Sequence, residues 1–112
     1  MLRSLHVVAE LPQFTRDAEA AGLSEQERMA IIESIAADPR QGDSIRESGG
    51  LRKVRFGGRG KGKSGGYRVI TGYFGLHVPV YLVALLSKRD RGNFSKAEIA
   101  GFRKLTTDIA RY

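Results

Sequence analysis

The sequence predicts an α+β domain whose elements run β-α-α-β-β-β-α, with a mixed, mainly antiparallel sheet and helices packed on one face. Three observations carry this. Two S-x-x-E patterns, Ser24 to Glu27 and Ser95 to Glu98, open helical periodicity near either end of the chain. Between them, Leu51–Phe56 and Tyr67–Phe74 read as strands divided by a glycine-rich loop. The run Val78–Leu86 is almost continuously apolar, as befits a central strand covered on both faces. At 112 residues the chain suits one domain, 1–112, and is too short for two ordinary ones.

Leu2–Ala9 reads as the first strand, with Leu5 and Val7 alternating through it. Pro12 suits the first turn of a helix whose apolar face holds Phe14, Ala18 and Ala21 until Gly22 stops it. The second helix follows the Ser24/Glu27 box with a stripe of Ile31, Ile32, Ile35 and Ala36, and Pro39 forbids its continuation. Arg40–Gly50 is a polar connector. Along Leu51–Phe56, Val54 and Phe56 share a face with Arg52, while Lys53 and Arg55 project from the other. Gly57–Gly66 is a loop of glycines and cations, and Gly75–His77 a short turn before the central strand. Lys88 and Arg89 stand where that strand ends. The last helix carries a stripe of Ile99, Phe102, Leu105 and Ile109.

Composition removes whole classes of function. There is no cysteine, which excludes a disulfide scaffold, a thiol nucleophile and Cys-based metal sites. This fits a cytoplasmic location. No apolar run approaches the ~20 residues that span a bilayer, and Met1–Glu10 has the pattern of neither a signal nor a transit peptide. The two histidines, His6 and His77, are too few and too far apart to argue a metal site, and structural roles are expected for both. No metal and no small-molecule cofactor is expected.

The net charge of +7 is unevenly spread. Met1–Glu47 holds five Lys/Arg against nine Asp/Glu, a net of −4. Ser48–Arg89 holds nine Lys/Arg and no acid. Such a segment draws its counter-charge from neighbours in space or from a polyanion. Nucleic acid is favoured over a membrane surface, because these cations lie on strands and a glycine loop and not on an amphipathic helix.

The loop mimics nucleotide-binding motifs: Gly57, Gly62, Lys63 and Ser64 satisfy G-x4-G-K-S, and Gly60, Gly62 and Gly65 satisfy G-x-G-x-x-G. Both motifs need a helix directly after them to receive phosphates. Here Tyr67-Arg68-Val69-Ile70-Thr71 follows, which is strand-like, so a hairpin loop is the reading. The remaining constellation is basic. Lys53 and Arg55 alternate on one strand, Arg68 starts the next, and Lys88-Arg89 end the central one, so an antiparallel meander can gather them. Among the interleaved aromatics, Phe56, Phe74 and Tyr81 are expected in the core, leaving one or two rings, Phe94 among them, to stack on bases.

Gly50-Leu-Arg-Lys-Val-Arg, Gly62-Lys-Ser-Gly-Gly-Tyr-Arg-Val-Ile and Leu82-Val-Ala-Leu-Leu-Ser-Lys-Arg-Asp resemble the RelE/ParE superfamily of toxin–antitoxin modules. The stretch Gly58-Arg-Gly-Lys-Gly-Lys-Ser-Gly-Gly is most similar to its HigB-type branch. The resemblance covers nearly the whole chain. It implies a ribonuclease that cuts mRNA, usually in the ribosomal decoding site, until a cognate antitoxin sequesters it. Lys53, Arg55, Arg68 and Arg89 match the family's functional basics and are the candidate catalytic residues. Arg52, Arg59, Lys61, Lys63, Lys88, Arg91 and Phe94 are the candidate RNA contacts. One departure matters: close relatives of RelE carry a catalytic tyrosine where this chain has Asn93-Phe94-Ser95, which leaves the general base open. The expected partners are mRNA, the ribosome and an antitoxin with a helix-turn-helix. The rival readings are a ParE-like inhibitor of DNA gyrase that acts by binding, and an RNA- or ribosome-binding module without cleavage.

Overall fold

The computed structural model describes residues 5–57 and 66–110. Within them the order is β1 (Val8–Glu10), α1 (Pro12–Ala20), α2 (Glu25–Ala37), β2 (Asp43–Ser44), β3 (Leu51–Phe56), β4 (Tyr67–Gly72), β5 (Val80–Ser87) and α3 (Lys96–Ala110). The strands form one mixed sheet of order β1-β5-β4-β3-β2, parallel at β1–β5 and antiparallel elsewhere. The α+β class, the mainly antiparallel sheet and the order of the seven expected elements are all found. An eighth, the two-residue β2, emerges from the polar connector and pairs with Arg52 and Lys53.

Local chemistry sets the helix limits. Pro12 begins α1, and Gly22 leaves it at φ 74°. Ser24 Oγ accepts from the Glu27 N–H at 3.0 Å while Glu27 Oε1 accepts from the Ser24 N–H at 2.9 Å, completing the capping box of α2. The same reciprocal pair, Ser95 and Glu98, opens α3 at 2.7 and 3.1 Å. Arg28 Nε donates to Glu10 Oε1 at 3.0 Å, tying α2 to β1.

The helices do not share one face of the sheet, and this corrects the sequence reading. Phe14 and Ala18 of α1 and Ile31 and Ile35 of α2 pack with Val54, Val69 and Leu85. Ile99, Phe102 and Ile109 of α3 pack with Leu51, Ile70 and Ala84, whose side chains alternate to the opposite face. A central strand buried throughout requires that arrangement: β5 is buried at every position but Tyr81.

Other boundaries move. Within the described residues the first strand is Val8–Glu10, and Leu5 and Val7 are exposed instead of alternating through it. The fourth strand ends at Gly72, and the fifth begins at Val80. On α3, Thr106 takes the buried place expected for Leu105, which is 41% exposed. Thr106 Oγ1 donates to the Phe102 carbonyl at 2.9 Å, so its hydroxyl enters the core satisfied. His6 has the structural role expected, its Nε2 donating to the Val78 carbonyl at 2.7 Å. Phe56, Phe74 and Tyr81 are half-buried. Phe56 joins the first core, Tyr81 the second, and Phe74 leans on Tyr81 at 6.2 Å between ring centroids.

Three features shape the basic half of the sheet. β1 pairs with β5 only as far as Leu82, and beyond it the Leu85 N–H donates to Asp17 Oδ2 of α1 at 2.9 Å. A bulge between Ile70 and Thr71 shifts the pairing of β4 with β5 there. At the β2 side, Gly42 sits at φ 92°, and a Cβ there would stand 2.5 Å from the Lys53 carbonyl oxygen. Only glycine fits that approach.

Candidate functional site

Strand register decides which cations meet. Arg55 lies directly opposite Arg68, and Lys53 opposite Ile70, so Lys53, Arg55 and Arg68 share the face on which α3 also packs. Lys53 and Arg55 are about 7 Å apart along their strand. Arg68 in turn pairs with Leu86 of β5, which is 7% exposed. The Lys88 N–H donates to the Gly66 carbonyl at 3.1 Å and the Arg89 N–H to Ser87 Oγ at 3.3 Å. That turn therefore delivers Lys88 and Arg89, both exposed, to the end of the sheet where β4 begins and Arg68 stands.

Arg68 is the least ordinary of these residues. It is half-buried, and its Nε is enclosed with no hydrogen-bond partner. An enclosed guanidinium N–H without an acceptor is costly, and a second arginine directly across the strand adds repulsion. Among the described residues the ion pairs are Arg28–Glu10 and Arg91–Glu98, and neither relieves the cluster. An oxyanion bound between the two arginines would supply both the missing acceptor and the missing charge.

Other candidates fall elsewhere. Arg52 points to the opposite face, where its guanidinium donates to the carbonyls of Gln41 and Gly42 at 3.3 and 3.1 Å and fastens the β2 side of the sheet. Arg91 is engaged by Glu98, with Nη1 2.8 Å from Oε1, and its guanidinium lies 5.9 Å from the Phe94 ring. Phe94 is half-buried, edge-on to Phe102 at 5.7 Å, and belongs to the second core. Arg59, Lys61 and Lys63 lie outside the described residues, with all but the ends of the glycine motif. The segment after that motif is the strand β4, as read, and not the helix a phosphate loop needs.

Asn93 was not singled out in the sequence, yet its Oδ1 accepts from Lys53 Nζ at 3.2 Å and from the Phe94 N–H at 2.9 Å. It thus joins the site to the start of α3. Its place just before the Ser95/Glu98 box was the available signal. Among the described residues no group of His, Cys, Asp and Glu could hold a metal ion, and no helix is long and apolar enough to cross a membrane.

The Arg91 guanidinium and the capped Ser95 amide hold the Glu98 carboxyl down at about 2, against an ordinary value of 4.5. A carboxylate depressed in the fold stabilises above its unfolded pKa and loses that contribution as pH falls through the folded one. The start of α3 should therefore be unaffected above pH ~5 and loosen between about 4.5 and 2. The contribution is no more than about 1 kcal/mol, because about a third (34%) of the side chain meets water. Amide exchange at Ser95 and Glu98 against pH reads it, and Glu98→Gln should flatten that profile.

A family model described as RelE toxin of the RelE/RelB toxin–antitoxin system matches residues 8–112. The fold is also similar to a solved structure of an arginine-to-alanine double mutant of the E. coli toxin RelE in the free state. The TM-score is 0.60 at 12% identity, over 91% of this chain and 97% of the other.

Proposed function

The chain belongs to the RelE toxin family, the toxin half of a toxin–antitoxin module, and from that premise we propose that it is a metal-independent endoribonuclease that cuts mRNA on the ribosome. What supports the reading is the pairing of Arg55 with Arg68 at the sheet end beside Arg89, with the Arg68 Nε enclosed and lacking an acceptor. In this reading Arg68 and Arg89 bind the scissile phosphate and stabilise the charge that develops on it. Lys53, held by Asn93, and Arg55 orient the strand, and Lys53 can give a proton to the leaving oxygen. Lys88, and the loop cations Arg59, Lys61 and Lys63, contact the RNA backbone. Arg52 and Arg91 serve the fold. The partners are mRNA, the ribosome and an antitoxin, a helix-turn-helix protein whose acidic segment covers the basic region; the site of action is the cytoplasm.

One observation favours a reading without cleavage. Phe94 stands where a tyrosine is expected, turns toward Phe102 and has no ionisable group. A binding-only toxin, acting on DNA gyrase or on the ribosome, needs no general base. Purified protein incubated with translating ribosomes separates the two. New mRNA 5′ ends that appear with the wild type and vanish with Arg89→Ala support the nuclease. Arrest of growth without new ends overturns it.

A further inference from the structure

A groove of about 750 Å³ runs between α3 and the turn at Ile45–Glu47, and Lys53 lines it. Its wall on α3 is the face that carries Lys96, Ala100, Arg103 and Thr107, three or four residues apart, with Lys104 beside them. It adjoins the face that serves the core, which uses Phe102, Thr106 and Ile109, and Ile99 stands on the border of the two. Five cations line the groove, namely Arg46, Lys53, Lys96, Arg103 and Lys104, against two acids, Glu47 and Asp108. All but Lys53 are exposed, and none of the five belongs to an ion pair among the described residues. Arg103 reaches across toward the turn, its Nε 3.8 Å from the place a Cβ on Gly49 would occupy. Ile45, Phe94 and Ile99 give the groove an apolar floor.

The geometry points to a second RNA subsite: the groove holds the single-stranded segment that adjoins the scissile phosphate, with backbone phosphates on Arg103 and Lys104 and a base against Phe94 and Ile99. This rests on the reading that the basic sheet end binds RNA. Lys53 belongs to both places, so one strand passes from the cluster into the groove without leaving cationic surface. The stretch of α3 from Lys96 to Asp108 spans about 18 Å, which exceeds the reach of one nucleotide. Cations along the rim and an apolar, partly aromatic floor are the combination that single-stranded nucleic acid takes.

The test uses Arg103→Gln/Lys104→Gln, both exposed positions on a helix that glutamine fills readily. Binding is measured with fully 2′-O-methylated RNAs of roughly three and roughly nine nucleotides at several salt concentrations. The double variant should bind the longer RNA about tenfold more weakly, with a log–log salt slope shallower by about 1.4, and the shorter one unchanged. In cleavage, KM should rise and kcat stay. An unchanged affinity for the longer RNA overturns the subsite, as does an equal loss for both lengths. So does a variant that keeps its RNA affinity but loses an acidic peptide, which makes the groove a protein surface. In each of those cases Arg68→Ala would still be inactive, whereas a wild type that binds neither RNA removes the parent reading as well.

Discussion

Arg68→Ala should abolish growth arrest and lower mRNA cleavage by a hundredfold or more, with the melting temperature level or slightly higher. A preorganised donor at a developing oxyanion is worth about 10²–10³ in rate. Stability moves little because two terms oppose. Two guanidiniums at the ~5 Å spacing of paired strands repel by about 1 kcal/mol at the dielectric of water and about 3 at that of a protein surface. Deleting one relieves that and removes the enclosed Nε that lacks an acceptor. Against this stands the lost packing of the half-buried arginine stem beside Leu86. The net should lie within about 1 kcal/mol of zero. Arg68→Lys keeps the charge and gives up the planar fork and the Nε donor, so it should remain at least tenfold impaired. Arg28→Ala is the control, since it breaks a tie between α2 and β1 far from the cluster. It should lower stability and leave the rate per folded molecule alone. A folded Arg68→Ala protein that cuts normally would remove Arg68 from the chemistry.

What the sequence disclosed, it disclosed through local rules. The two capping boxes, the Pro12 start and the strand Leu51–Phe56 were legible because each depends on residues within a few positions of one another. Alternation also put Lys53 and Arg55 on one face and Arg52 on the other. The side of the sheet that α3 covers was not legible, since a helical stripe says that a face is buried and not against what. Leu105 fits the stripe of Ile99 and Phe102 as well as Thr106 does, because steps of three and of four both continue a helical stripe. Thr106 holds the place because its hydroxyl is satisfied within its own helix. Arg91 looked like one more free cation. Its capture by Glu98, seven positions on, depends on how the chain turns between β5 and α3. The Lys53–Asn93 contact spans forty positions, and the groove cations meet Arg46 only through the tertiary fold, so spacing carried no sign of either.

Fragments cut from mRNA should end in a 2′,3′-cyclic phosphate, or the 3′-phosphate left by its hydrolysis, and begin with a 5′-hydroxyl. The donor set makes this the expected chemistry. Ser48–Arg89 contains no carboxylate and the chain no thiol. Asp90 is a lone exposed acid in the following turn, and Glu98 is occupied by Arg91. Ammonium and guanidinium groups do not ligate magnesium or zinc. A nuclease built of cations needs a nucleophile that its substrate already carries, and RNA carries the 2′-hydroxyl. The 2′-oxygen bonds to phosphorus as its proton passes to solvent or to a ribosomal group, the bond from phosphorus to the 5′-oxygen breaks, and that oxygen takes up a proton. On the proposed reading Arg68 and Arg89 would stabilise the intervening charge, and Lys53 would donate to the leaving oxygen. A 2′-deoxy or 2′-O-methyl substitution at the scissile nucleotide should therefore block cutting completely, with binding retained. Cleavage should persist in EDTA wherever the substrate does not itself require magnesium. Recovery of 5′-phosphate ends from the purified reaction would show that water, not the ribose, attacks, and that a different set of residues carries the step.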